Sequence, residues 1–490
     1  MIKLLGITTL CSLALSGISL APSTLVASQH APAAETATMQ RVVILTDIEA
    51  DPDDAQTLVR LLLYSNKIDI RAIVATTSTH MRTRVAPESI RRIISAYAEV
   101  RDNLLLNSSG YPRAETLLAR VSAAQPMYGI EAVGEGKDSE GSEAILRELE
   151  REDERPLWVS VWGGTNTLAQ ALWKLRATLG PDELTKRISK LRVYTISDQD
   201  DSGIWIRRNF PDLFYIVSPG GYGNGTWGGI HEVVKGIDNT SISNKWLATN
   251  IQQGYGPLGA SYPDVAYGME GDTPAWLGLL PNGLNVPERP DWGGWGGRYE
   301  FYRPERADID PDGFTGAVPV ENEPRPIWTN AVDTWSPFQP GSYGRSVQWD
   351  ANVFTGHRVT LWRWRDDFQN DFAARMDWCI RAPEQCNHPP LAADSGIVEM
   401  TVKAGQGFVM EAGEWSDPDG DNLGYLWFAY PEAGSWKKPL PLGSAENLHS
   451  VYVVAPVVTE PETLHFILRV TDKGTPPLSR YKRYIVSVLP

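Results

Sequence analysis

Residues 47–54 read Asp-Ile-Glu-Ala-Asp-Pro-Asp-Asp, five carboxylates in eight positions: Asp47, Glu49, Asp51, Asp53 and Asp54. Like charges at that density repel, and a chain tolerates them when a cation or protons neutralise them. A hard divalent ion such as calcium takes several oxygens, from carboxylates and backbone carbonyls. One or two acids at a helix start need no ion, because the helix dipole already favours negative charge there. Five acids after an apolar run exceed that need. The stretch therefore reads as a metal site, with Ca2+ the expected cofactor.

The flanking elements must place these acids. Residues 41–46 are rich in Val, Ile and Leu and predict a strand. Ala55, Leu58, Val59, Leu62 and Leu63 recur at helical spacing and predict a helix over 54–64. Strands are expected at 68–75, 157–162, 191–196 and 212–217. Helices are expected at 87–100, 115–124, 141–152, 167–179 and 366–379. This alternation points to βαβ units and an open, mostly parallel sheet. Such crossovers are right-handed, so the strands' carboxyl ends share one edge, where ligands bind. Polar clusters follow the strands at 76–80, 163–166 and 197–201, which places them beside the acids.

From 219 to 340 Gly, Trp and Pro dominate, as in "GGYGNGTWGG" and "PDWGGWGGRYEFY". These stretches predict ordered irregular loops. Their aromatics, Trp292 and Trp295 first, with Trp436 further on, are suited equally to stacking on sugars and to loop packing. Residues 387–396, with paired prolines, read as a linker. Beyond it, strands at 398–402, 407–411, 423–430, 450–454, 463–471 and 481–488 predict an all-β, immunoglobulin-like sandwich over 397–490, with Trp427 in its core. "SDPDGD", 416–421, is a turn-rich acidic loop. It suits a solvated turn better than a calcium loop.

The chain has 490 residues, a net charge of -15 and 42% apolar residues. That length suits two domains and that composition a sizeable core. The negative balance excludes electrostatic binding of nucleic acid or of an anionic membrane. Residues 1–27 read as a secretory signal: Lys3, an apolar run over 4–20 and a cleavage site at Leu25-Val26-Ala27. Residues 28–40 read as a flexible tail. Secretion or a periplasmic location follows, with no membrane contact after signal removal. Cys379 and Cys386 then remain and are expected to bridge in an oxidising compartment. His357, His388 and His449 are isolated and read as surface or packing residues.

Beyond these readings, "VVILTDIEADPDDAQTLVRLLL" resembles the opening of calcium-dependent nucleoside hydrolases, D-x-D-P-G-x-D-D followed by a helix. The match sets Asp47 on the first Asp, Glu49 on the second and Asp53-Asp54 on the closing pair. "IRAIVATTST" resembles their second strand and its polar end, where Thr79 lies. "WVSVWGGTNTLAQAL" resembles the stretch whose Thr carbonyl binds calcium, which implies Asn166 or Thr165. "GDTPA" resembles their late H-D-P motif and implies Asp272 as a further ligand. The resemblance thus implies Asp47, Glu49, Asp54, Asn166 and Asp272 around the metal. It implies Glu49 or Asp47 as base, and Asp53, Thr79 and the tryptophans toward substrate. Ala50-Asp51 replaces the family's Pro-Gly, and Gly271 replaces its His. Asp51 is thereby an alternative ligand to Glu49.

The layout also resembles a secreted subfamily of cellulose-binding proteins. It joins a nucleoside hydrolase-like domain, here 41–386, to a small β domain. Together these readings imply a metal-dependent hydrolase of glycosidic, furanosidic or N-ribosyl bonds acting near plant polysaccharide. The rivals are a non-catalytic binder of cellulose or plant-wall oligosaccharide, and an extracellular nucleoside hydrolase.

Overall fold

The computed structural model describes residues 39–219, 226–309, 318, 321–338, 352–394, 396–440, 442 and 444–490. The expected signal sequence, most of the expected tail and part of the Gly-rich loop at 220–225 lie outside them. Among the described residues no helix is long and apolar enough to cross a membrane.

Strands β1 (Gln40–Thr46), β2 (Ile68–Ala75), β3 (Val121–Ala123), β4 (Leu157–Val161), β5 (Leu191–Thr195), β6 (Phe214–Val217), β7 (Tyr299–Tyr302) and β8 (Ile327–Asn330) form one sheet. Its order is β3-β2-β1-β4-β5-β6-β8-β7, parallel except for β7. Val42 to Thr46 are buried on both faces, as strands covered on both sides by helices must be. Helices α1 (Asp53–Leu63), α2 (Pro87–Asn107), α3 (Ala114–Leu118), α4 (Glu140–Glu150), α5 (Asn166–Thr178), α6 (Pro181–Ser189) and α7 (Ser202–Asn209) accompany these strands. Sequence reading missed α6 and α7. It also extended α3 through Ala124, where the chain instead turns into β3, because Val121 and Ser122 pair beside Ile73 and Val74.

Chain order reverses at β1. The chain runs outward through β2 and β3, then returns to lay β4 on the other side. Crevices open at such switch points, outside the strands' carboxyl ends. Helix α1 starts at this crevice and buries Leu58, Val59, Leu61, Leu62 and Leu63. Each such side chain stabilises by about 1.5–3 kcal/mol, which anchors the first turn firmly.

The C-terminal region is strand-rich. A five-stranded sheet runs Ile397–Lys403, Ser479–Leu489, Glu462–Thr471, Gly424–Ala429, Ser444–Glu446, and a two-stranded ladder pairs Gly407–Glu411 with Ser450–Val454. Phe408, Met410, Val451 and Val453 of the ladder share a core with Trp427, Leu468, Tyr484 and Val486 of the sheet. Met39–Pro490 form one compact unit. The segment expected as a linker is fixed: Leu391–Ala392 pairs with Trp415–Ser416, and Asn387 is buried.

An ion pair and buried hydrogen bonds join the two parts. Arg480 Nη1 donates to Asp371 Oδ2 at 2.8 Å, and Ser479 Oγ to Asp367 Oδ1 at 2.9 Å. Tyr430 Oη donates to Asp333 Oδ2 at 2.7 Å. Arg483 Nη2 donates to the carbonyls of Leu284 and Gly293, both at 2.9 Å.

The expected Cys379–Cys386 bridge does not form. Both cysteines are buried and free. The Cys379 Sγ instead faces the Arg375 carbonyl at 3.6 Å, and the Cys386 Sγ faces that of Arg381 at 3.9 Å.

Candidate functional site

Asp47 follows β1 directly at the switch point, and Asp53 and Asp54 open α1. All three are buried. Ligand oxygens of Asp51, Asp53 and Asp54 lie within 4.8 Å of one another. Thr46 Oγ1 donates to Asp54 Oδ1, and the Asp53 amide donates to Asp51 Oδ1 at 3.1 Å. Gly163, after β4, packs against Asp47. A Cβ there would lie 2.6 Å from Asp47 Oδ1, so a glycine is required.

Asp272 reaches this cluster from more than 200 residues away, and α1 holds it there. Thr57 Oγ1 meets Thr273 Oγ1 at 3.0 Å, and Gln56 Oε1 accepts the Glu270 amide at 2.9 Å. Arg60 Nη1 donates to Glu270 Oε2 at 2.7 Å. Asp272 is buried, and its Oδ2 has no hydrogen-bond partner.

The electrostatics follow from crowding. Burial raises the Asp272 carboxyl well above the usual range, and the charges of Asp53, Asp54, Asp47 and Asp51 add to it. Burial raises Asp54 likewise, reinforced by Asp47 and Asp53. Burial, then contact with Asp51, raises Asp53, against a hydrogen bond from Trp227. Burial pushes Asp47 up to about 7, against a hydrogen bond from Ser78. Leaving an ion buried and unpaired costs several kcal/mol, whereas the α1 dipole returns only about 0.3–1 kcal/mol per charge. Helix capping therefore does not account for the arrangement. The donor set of hard carboxylate oxygens, one of them orphaned, fits a calcium-type ion.

One expected residue lies elsewhere. Glu49 departs from the cluster: its backbone adopts φ 83°, and the side chain turns outward to Arg84 Nη1 at 2.6 Å and to Ser89. Asp51 supplies a carboxylate in its stead, since the Asp47–Ala50 turn carries Glu49 past the site. The Asn166 side chain is engaged at both ends. Its Oδ1 accepts from Thr76 Oγ1 at 2.9 Å, and its Nδ2 donates to Thr77 Oγ1 and the Met127 carbonyl at 2.9 and 2.8 Å. Asp200 fixes the start of α5 by accepting the Asn166 amide at 3.0 Å. Thr79 is half-buried at the same rim, its amide donating to the Gln199 carbonyl at 2.7 Å.

The tryptophans also sort differently. Trp295 is core, 1% exposed, with its indole N–H on Tyr481 Oη at 3.2 Å, so it offers no face to a sugar. Trp292 packs edge-on against His465 at 5.0 Å, with the Arg289 guanidinium 4.2 Å over its ring. Trp436 is half-buried, with the Lys438 ammonium 5.0 Å from its ring. The aromatic at the site is Trp227, which sequence reading passed over inside a Gly-rich run. Its Nε1 donates to Asp53 Oδ2 at 2.6 Å. A Cβ at Gly271 would lie 2.0 Å from that indole, so Trp227 stands where a side chain at 271 would go.

Residues 41–299 match the family described as "Cellulose-binding Sde182, nucleoside hydrolase-like domain", and 407–488 match "Cellulose-binding protein Sde0182, C-terminal domain". A solved nucleoside hydrolase-related protein from Saccharophagus degradans, described as associated with carbohydrate metabolism, is 32% identical. The match covers 92% of this chain and all of that one, with a TM-score of 0.74. Two effector proteins, XOO4466 and XopQ, the latter complexed with adenosine diphosphate ribose, are each 12% identical. They cover 59% of this chain and 87% and 88% of their own, and TM-scores of 0.27 and 0.26 carry no argument. No curated protein matches. On residues 41–299 and on the likeness to the Saccharophagus protein, the chain belongs to the cellulose-binding Sde182 family, with a nucleoside hydrolase-like domain.

Proposed function

We propose that the rim cluster is a calcium site serving hydrolysis of a glycosyl bond in a carbohydrate, on a protein exported to meet plant polysaccharide. The observation that carries this reading is the burial of four aspartates together, Asp47, Asp53, Asp54 and Asp272, with one Asp272 oxygen unpartnered. Asp51, Asp54 and Asp272 would hold the ion, with Asp47 or Asp53 completing it. A divalent cation held by these carboxylates would supply Lewis acidity toward sugar hydroxyls and adjacent water. Asp47, buried on the ligand-bearing edge beside these acids, is the carboxylate placed to take a proton from water. Asp53, oriented by the Trp227 N–H, accepts a hydrogen bond from a sugar hydroxyl. The negative surroundings favour an oxocarbenium-like transition state. The C-terminal strands are read as an immunoglobulin-like sandwich that seats this domain.

A second reading, carbohydrate binding without turnover, draws on Glu49. That residue stands where the resemblance puts the base, and it is spent on Arg84 and Ser89. A product screen on furanosides, plant-wall oligosaccharides, inosine and uridine, with calcium and with chelator, separates the readings. Turnover that chelation abolishes, and that Asp54→Asn lowers more than about 100-fold, is expected. Cellulose retention with no product from any substrate supports the binder. Ribose released from nucleosides alone supports a salvage hydrolase.

A further inference from the structure

The acidic loop at 416–421 lies where the helical part hands over to the C-terminal strands, remote in sequence from the sheet rim. Three side chains lie at this junction, each spending one end on the protein and leaving an oxygen bare; Asn387 bonds to Asp472, and the charge of Asp417 acts on Asp472. Asp472 Oδ1 accepts the amides of Gly474 and Leu478, both at 3.0 Å, and Asn387 Nδ2 at 3.0 Å. Asp472 is 2% exposed, and its Oδ2 has no partner. Asn387 is 6% exposed. Its Nδ2 serves Asp472 and the Pro476 carbonyl at 2.7 Å, and its Oδ1 has no partner. Asp417 Oδ1 accepts the amides of Asp419 and Asp421, both at 2.9 Å, and its Oδ2 is buried without a partner.

The loop is held against this pair. Asp419 Oδ2 accepts the His388 amide at 2.7 Å, and the His388 ring stacks on Trp378. Trp378 Nε1 in turn donates to the Asn387 carbonyl at 3.0 Å. A buried acceptor left bare costs about 1–3 kcal/mol, more when charged, and three at one junction are costly unless something fills them. Two carboxylate oxygens, oriented by the N–H donors of their own loops, and an amide oxygen, oriented by the bonds Asn387 Nδ2 donates, are hard ligands of the kind calcium takes, with water able to complete the shell.

We propose that Asn387, Asp417 and Asp472 form a second calcium site, a structural clasp between the end of the helical part and the C-terminal strands. It is independent of the rim cluster and of any catalysis. Asp417 and Asp472 supply one negative charge each and Asn387 a neutral oxygen, so affinity in the range of extracellular modules is expected, Kd about 10⁻⁴–10⁻³ M.

The test uses the full chain and calcium alone. In an Asp54→Asn, Asp272→Asn background, calorimetry should still find one calcium, and calcium well above Kd should raise the melting midpoint by about 3 °C over chelator. Adding Asp417→Asn, which leaves the half-exposed loop its donors, should weaken that binding at least tenfold while the melt in chelator stays as in its parent. Asp472→Asn should do the same. Should the background not fold, Asp417→Asn in the natural sequence should lose one calcium equivalent. A background protein that binds no calcium, or Asp417→Asn and Asp472→Asn variants that bind like their parent, would overturn the clasp.

Discussion

The molecule buries carboxylates in two ways. Along the seam with the C-terminal strands Asp333 and Asp371 each face two guanidinium groups. Asp333 lies 2.6 Å from Arg298 Nε and 2.9 Å from Arg363 Nη1, and Asp371 meets Arg375 Nε at 3.0 Å and Arg480 Nη1 at 2.8 Å. Although burial opposes ionisation, those arginines hold both carboxyls below their usual range. At the sheet rim the strongest charges acting on Asp54 and Asp272 are other carboxylates, and the shifts go the other way. The seam shows that this fold has arginine to spend on a buried acid. Its absence around Asp54 and Asp272 at the rim supports the cation proposed there.

The sharpest break in this comparison is at the seam. Asp371→Ala strands Arg375 and Arg480 and should cost about 3–5 kcal/mol in denaturant unfolding. A smaller effect comes from His465, buried beside Arg483 Nη1 at 3.2 Å. Burial, then Arg483, lowers its pKa to about 2, so it stays neutral when folded and protonates only when unfolded. Its contribution is complete above pH ~6.5 and is lost as pH falls from there, at up to about 1.4 kcal/mol per pH unit. His465→Gln should flatten the stability profile between about pH 6.5 and 5, read by thermal melts. At the rim the sign reverses. Asp54→Asn relieves repulsion, so in chelator it should melt at or above the natural sequence, by about 1 kcal/mol, and lose the stabilisation calcium gives. The smallest effect belongs to Glu49→Gln. Its exposed pairing with Arg84 is worth less than about 1 kcal/mol, and calcium affinity by calorimetry should not change.

Local patterns were legible in the sequence, and long-range ones were not. The boundaries of β2 and of the strands at Gly407–Glu411 and Ser450–Val454 followed from apolar runs between turns. Those signals are carried by neighbouring residues. The site divides in the same way. Asp47, Asp53 and Asp54 stand on a strand end and a helix start, and periodicity alone sets them on one edge. Glu49 was misplaced because one positive φ decides which way its side chain leaves the turn, and glutamate gives no signal for that conformation. Trp227 and Trp295 both sit in Gly-rich loops. Only tertiary packing sends one to Asp53 and the other into the core. The seam was hidden as well, since its pairs join residues such as Asp371 and Arg480 across 109 positions. Paired prolines suggested a linker at 387–396, whereas Met39–Pro490 form one compact unit, with Leu391–Ala392 paired to Trp415–Ser416.

The central claim is that a cation offsets the rim carboxylates, and a crystal structure grown in calcium tests it most directly. The account predicts an ion about 2.3–2.6 Å from oxygens of both Asp54 and Asp272, with Glu49 still on Arg84. Well-ordered Asp54 and Asp272 carboxyls bonded to each other, with no ion between them, would contradict it.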